Sequence, residues 1–166
     1  MASSPEHKRI FNYGCWLLAR RRYSESEFRK KLDKKFPDQI EAVTAIIENF
    51  LIRKYLDDTQ YTELYIREQL NRKPQGLRVI KQKLRQKGIS ETTLSAVFQN
   101  QLVTGINETE LAIQALAKKT ALMDKASHAK LAQGKIVTPQ QRKQKLFRFL
   151  ASRGFSPDTI MRALKS

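Results

Sequence analysis

The side chains with chemistry to offer are overwhelmingly cationic. Thirty-two lysines and arginines stand against sixteen aspartates and glutamates in 166 residues, a net charge of +16. They gather in local clusters: Arg20, Arg21 and Arg22; Lys30, Lys31 and Lys34; Arg72 and Lys73 with Arg78, Lys81, Lys83 and Arg85; and Arg142, Lys143, Lys145 and Arg148. Such clusters attract phosphate backbones by releasing condensed counterions, so the binding they produce weakens steeply with salt and has little sequence preference. Cations also merely solvate outward faces, and for one stripe on one helix that would be the plainer account. Here the charge is spread along the chain: Met1 to Lys35 is net +6, 60–107 is +5 and 137–166 is +6, and only 36–59 is acidic, at −3. Lys35, Lys87 and Arg153 recur near the ends of three helices, where a cation favours the helix dipole whatever is bound, so they are not counted as a site. Tyr61 with Tyr65, and Phe147 with Phe149, are candidates to stack on exposed bases. Core packing competes for them, although residues two apart on a helix do not easily face one interior.

Other chemistry is missing. His7 and His128 are the only histidines, so no histidine pair or Cys/His set has metal-ligand spacing. Gly134-Lys135 is followed by Ile and has Ala129 where a phosphate loop needs its first glycine. Cys15 lies among Gly14, Trp16 and Leu17 with no nearby histidine and reads as a small core residue. Asp57-Asp58 reads as a helix-capping pair rather than a metal or acid/base site, because two carboxylates there suit the positive end of the next helix. No catalytic residue, metal or cofactor is expected, and the protein is not expected to be an enzyme.

The elements that must carry these cations are helical. Hydrophobic residues make up 40%, enough for a folded core, and they recur at helical spacing, as in Val43, Ile46, Ile47 and Phe50, or Leu77, Ile80 and Leu84. No strand is evident. Ser24 with Glu27, and Asn107 with Glu110, have capping-box spacing; Thr138-Pro139 and Ser156-Pro157 place a hydroxyl before a proline that a first helical turn tolerates. Gly88 and Gly154 sit where a helix should end. About nine helices are expected. No run approaches the roughly 18 apolar residues of a membrane span, and a single cysteine with no leader-like start points to a reducing cytoplasm. The step from Leu84 to Phe98 has helix-turn-helix proportions, yet its second helix, Glu91 to Leu102, has no lysine or arginine near its start, which argues against reading a groove.

The chain also repeats itself. At an offset of 66, Leu84 matches Leu150, Gly88 matches Gly154, Ser90 matches Ser156 and Thr93 matches Thr159; at 52, Phe28 falls over Ile80 and Leu32 over Leu84. The expected fold is all-α, with three tandem three-helix repeats forming an elongated, curved body. The expected organisation is a flexible segment 1–9, then repeats at 10–57, 58–106 and 107–166. An insertion at about 121–137 either extends the preceding helix or forms a loop.

These stretches together resemble the RecX regulatory family from about Phe11 to Leu164. The carrying residues are Arg22-Tyr23-Ser24-Glu25-Ser26-Glu27-Phe28-Arg29-Lys30-Lys31-Leu32; Tyr55-Leu56-Asp57-Asp58 leading to Tyr61, Tyr65, Gly76 and Lys87-Gly88-Ile89; and Arg142-Lys143, Phe149-Leu150 and Arg153-Gly154-Phe155-Ser156. The resemblance implies a chain of three-helix repeats that acts in recombination and DNA repair. It implies binding in the groove of the RecA filament on single-stranded DNA and inhibition of RecA's ATPase, coprotease and strand-exchange activities. Some family members also bind DNA directly, so double-stranded DNA is a further possible partner. The family has no catalytic residues to carry over, and the basic clusters come from the charge pattern alone. A monomer is expected. The rival is a general DNA-binding or architectural protein that needs no recombinase. Membrane-surface binding ranks last, because the apolar faces are needed for packing between repeats.

Overall fold

The computed structural model describes residues 5–99, 105–131 and 138–165, without the side chains of 125–131. Nine helices lie in the described residues: α1 (Pro5–Arg20), α2 (Glu25–Lys35), α3 (Ile40–Ile52), α4 (Asp58–Arg72), α5 (Leu77–Gln86), α6 (Glu91–Gln99), α7 (Glu108–Leu131), α8 (Pro139–Ser152) and α9 (Pro157–Ala163). The fold is all-α. The helix starts follow the expected hydroxyl and amide caps. Ser24 Oγ accepts the Glu27 N–H at 3.2 Å, Ser156 Oγ accepts that of Thr159 at 3.2 Å, and Asn107 Oδ1 accepts those of Thr109 and Glu110 at 3.0 and 3.3 Å. Thr138 and Gln141 form a complete reciprocal capping box. Gly88 and Gly154 take φ of 82° and 80°, the left-handed conformation only glycine adopts without strain.

Packing divides the chain into two units. The first comprises Met1–Tyr65 with Lys83–Asn100, the second Ile66–Gln82 with Gln101–Ser166; α4 and α5 contribute to both. In the first, α1, α2 and α3 pack on one another around Ile10, Leu17, Phe28, Leu32, Ile47 and Phe50. The Phe28 and Phe50 rings meet at 5.4 Å, and Gly14 lets them approach α1, because a Cβ there would already touch both. In the second, α7, α8 and α9 close over Ala112, Ala115, Leu146, Leu150, Phe155 and Ile160. Small alanines on α7 take the place of the aromatic filling of the first unit. Each fully buried Phe, Leu or Ile contributes on the order of 1.5–3 kcal/mol.

Four local expectations need correction or completion. The first helix begins at Pro5, ahead of the expected Ile10, because proline is tolerated at a first turn and Glu6 complements the dipole there. Cys15 is exposed: the buried line of α1 is Ile10, Gly14 and Leu17, and position 15 falls off it. Phe147 and Phe149 both pack against the core of the second unit, half-buried on either flank of the buried Leu146 and Leu150; the broad apolar face of α8 accommodates both. The expected insertion continues the preceding helix, since α7 runs through Leu131, while 132–137 lie outside the described residues, as do 100–104 at the end of the expected sixth helix.

The internal repeat reappears as two equivalent joints. In the first unit, Ser24 Oγ donates to the Lys87 carbonyl at 2.6 Å, Asp58 Oδ1 accepts the Glu25 N–H at 2.8 Å, and Gly88 packs against Ser26 with no room for a Cβ. In the second, the Gly76 N–H donates to the Arg153 carbonyl at 2.9 Å, Glu108 Oε1 accepts the Leu77 N–H at 2.7 Å, and Gly154 packs against Val79 with no room for a Cβ. In both, an acid from one three-helix module accepts a helix-start N–H of the second helix of the module before it, and the carbonyl ahead of the turn glycine accepts from the residue before that helix, a hydroxyl in the first joint and an amide in the second. The Asp57-Asp58 pair is thereby divided: Asp57 Oδ1 caps its own helix through Thr59 and Gln60, each at 2.9 Å, whereas Asp58 caps α2.

Candidate nucleic-acid interface

The charge clusters separate, in the structure, into cations held within the protein and cations left to solvent. On α2, Lys30, Lys31 and Lys34 are exposed at positions i, i+1 and i+4, on the side away from the buried Phe28 and Leu32. Among the described residues no ion pair engages them. Arg22 is likewise exposed. Its neighbours are occupied: the Arg20 guanidinium sits 4.0 Å above the Trp16 ring, and Arg21 lies 3.8 Å over Tyr23 and 3.5 Å from Glu27.

The densest run of the sequence is divided between the two units. Arg72, Lys73, Arg78 and Lys81 belong to the second unit and Lys83 and Arg85 to the first. Arg72 pairs with Glu68 at 3.1 Å, and Arg85 grips Glu91 with two bonds of 2.9 and 3.0 Å. Lys81 and Lys83 are half-buried, engaged within the protein, and stand on opposite flanks of α5, since two residues subtend about 200° of a helix. Arg78 and Lys73 are exposed. The α8 cluster also diverges. Arg142 is drawn to Asp124 of α7 at 2.7 Å, whereas Lys143 and Arg148 line an open groove with Thr138, Gln141, Gln144 and Phe147, and Lys145 projects to solvent. Exposed ion pairs are weak and screened by salt, so the paired arginines can exchange a carboxylate for a phosphate at small cost.

The recurrent helix-end cations do more than complement a dipole. Lys87 Nζ bonds Glu27 Oε1 at 3.0 Å and lies 5.9 and 5.5 Å from the rings of Tyr61 and Tyr65. Burial alone would raise the Glu27 carboxyl, but the Lys87 bond and charge, with Arg21 behind them, hold it below the usual carboxylate range. Burial likewise opposes the charge of Lys87, and its bonds to Glu27 and Tyr61 outweigh that and raise its pKa. Tyr61 is buried, its hydroxyl donates to Glu27 at 3.2 Å, and its ring stacks on Tyr65, so the pair is committed to this joint rather than offered to a base. Arg153 donates to the Pro74 carbonyl at 2.9 Å and covers Phe149 at 4.6 Å. Lys35, at the matching place in the first module, is exposed.

The charge pattern gave no hint of an aromatic pair on α1, in which the exposed Trp16 stacks on the half-buried Tyr13 at 5.5 Å. The signal was legible: Arg9, Tyr13, Trp16 and Arg20 fall at i, i+4, i+7 and i+11, one side of a helix. Among the described residues no group of histidine, cysteine and carboxylate side chains has metal-binding geometry, and no helix is long and apolar enough to cross a membrane.

Family models for the second and third three-helix domains of RecX match residues 57–97 and 107–164. The regulatory protein RecX of Mannheimia succiniciproducens is 34% identical over 148 residues, spanning 87% of this chain and 85% of that protein. That of Pelodictyon phaeoclathratiforme is 32% identical over 149 residues, spanning 90% and 82%. A crystal structure of RecX from Lactobacillus salivarius shares the fold, with a TM-score of 0.73 over 96% of this chain and 94% of that one, at 22% identity.

Proposed function

The chain belongs to the RecX family of regulatory proteins, and from that premise we propose that it restrains the RecA recombinase. It binds the RecA filament on single-stranded DNA and lowers the filament's ATPase, coprotease and strand-exchange activities. The observation that supports this most is the unengaged cationic face of α2, Lys30, Lys31 and Lys34, in a chain of net charge +16. Arg20, Arg21, Arg22, Arg72, Lys73, Arg78, Arg142, Lys143, Lys145 and Arg148 are further candidate phosphate contacts. The one acidic stretch of the sequence exposes Ile40, Ile52 and Tyr55 at 71, 82 and 52%. That stretch, net −3, offers a phosphate backbone no attraction.

Binding by many weak contacts gains affinity through effective concentration when several can engage together, so no deep pocket is required. The test measures RecA ATPase on a fixed single strand across a salt series, beside the chain's own affinity for that strand. Inhibition that persists at salt where free-strand binding has vanished supports direct recombinase contact. Inhibition that tracks strand affinity at every salt overturns it in favour of a general DNA-binding protein that competes for the strand.

A further inference from the structure

We propose that Arg9, Tyr13, Trp16 and Arg20 on α1 form a stacking platform for unpaired nucleobases, flanked by cations for the phosphates on either side of a stacked base. The four residues share one side of the helix, off the buried line of Ile10, Gly14 and Leu17. That line, with Phe11, Tyr13 and Leu18 packed beside it, is the contribution of α1 to the core, and Trp16 stays 47% exposed. The indole is nevertheless held in place. Tyr13 stacks on it with an interplanar angle of 20°, Phe36 braces Tyr13 edge-on at 5.7 Å, and Phe36 packs against the core. Arg20 covers the indole at 4.0 Å. Glu6, the only acid of α1, lies about 15 Å along the axis from Trp16.

The ligand chemistry follows from this order of groups. A braced, half-open indole accepts a flat π-face, and cations at both ends of the stripe select a flat group that carries negative charge beside it. Duplex DNA offers phosphates but keeps its base faces stacked; a single strand offers both. An exposed cation–π contact is weaker than base stacking on an aromatic ring. A base can therefore take the face of Trp16 now covered by Arg20, and the freed guanidinium turns to the adjoining phosphate. Arg9, about 16 Å further along α1, takes another.

The platform rests on the proposed function only in that a single strand is the ligand. Because the chain has one tryptophan, its emission reports on this site. The full chain is titrated with oligothymidylate, with an abasic strand of equal length and with blunt duplex, each end-labelled so that anisotropy reads binding separately. Saturable quenching by oligothymidylate in step with anisotropy is expected, with little quenching by the abasic strand or duplex even where they bind. Trp16→Ala should weaken oligothymidylate binding at least about 5-fold and leave abasic binding unchanged, and Trp16→Phe should recover part of the loss with the same far-ultraviolet dichroism. Tight binding with silent emission, equal quenching by the abasic strand, or unchanged affinity of both variants overturns the platform and leaves recombinase restraint standing. Emission that shifts with chain concentration in the absence of DNA also overturns it, by showing self-association through Trp16. Failure of every strand to bind overturns the platform together with the free-strand contacts, while inhibition of RecA ATPase still decides the proposed function.

Discussion

The two joints occupy equivalent places in the internal repeat and are built from different forces. Both use a glycine turn and a carboxylate that caps the second helix of the preceding module. The first adds a charged, aromatic latch, Glu27 with Lys87 between Tyr61, Tyr65 and Arg21. The second puts a backbone bond, Gly76 N–H to Arg153 carbonyl, where the first has a serine hydroxyl, and aims its cation at the Pro74 carbonyl. A repeated scaffold therefore fixes where modules join and leaves the joining chemistry free to diverge: the first joint should respond to pH and salt, the second mainly to steric change.

The largest expected effects are steric. A Cβ at Gly76 would collide with the backbone carbonyl of Gly154, which cannot move without shifting the turn. Gly76→Ala should cost about 3 kcal/mol or more in urea unfolding, at or beyond the usual limit of overpacking. Gly88→Ala meets a side chain, Ser26, and a φ of 82° that alone costs about 1–2 kcal/mol; adding Ser26→Gly should restore the steric share and leave the conformational one. If the two alanine variants lose equal stability, the second joint is not the more rigid of the two.

The cross-module caps come next. Asp58→Ala and Glu108→Ala each remove the acceptor for a helix-start N–H and should each cost about 1 kcal/mol. Burial raises the Asp58 carboxyl, against the Glu25 N–H bond that lowers it, so its contribution to stability is fullest below the unfolded aspartate pKa and declines as pH rises through its folded value. Asp58→Ala should therefore do more damage at low pH than its net cost near neutrality suggests, and equal costs at every pH would contradict the burial of Asp58.

The smallest effect is the latch itself. A double-mutant cycle of Glu27→Gln and Lys87→Met should give a coupling of about 1 kcal/mol that falls with added salt. The folded pKa of Glu27 is depressed, so its stabilisation is present above the unfolded glutamate pKa and lost as pH drops through the folded value. That of Lys87 is raised, so its share is present below the unfolded lysine pKa and lost as pH climbs through the folded one. The coupling should thus vanish at both ends of the scale.

Much of this was legible in the sequence. Helix starts at Ser24, Asn107, Thr138 and Ser156 follow from side chains that satisfy amides three residues on, a local relation needing no knowledge of the fold. The glycine turns and the repeat register follow from equally local steric rules. What escaped was relational. Asp58 reads as a cap for its own helix until α2 is seen beside it, and Lys87 reads as a dipole complement until Glu27 faces it 60 residues away. The cationic clusters fared unevenly for the same reason: Lys30, Lys31 and Lys34 share a helix face by spacing alone, whereas the fates of Arg85, Arg142 and Lys81 depended on acids and surfaces that proximity in the chain did not reveal.

The capping box at Thr138 carries one more consequence. The second helices of the first two modules each leave one start amide, Glu25 N–H and Leu77 N–H, to an acid of the module that follows, while α8 has a complete capping box of its own in Thr138 and Gln141. Dependence in this protein accordingly points one way along the chain. A stop introduced before Asn107 would strip α5 of its Glu108 and Gly154 neighbours and weaken the segment already synthesised, whereas the start of α8 is capped from within its own module.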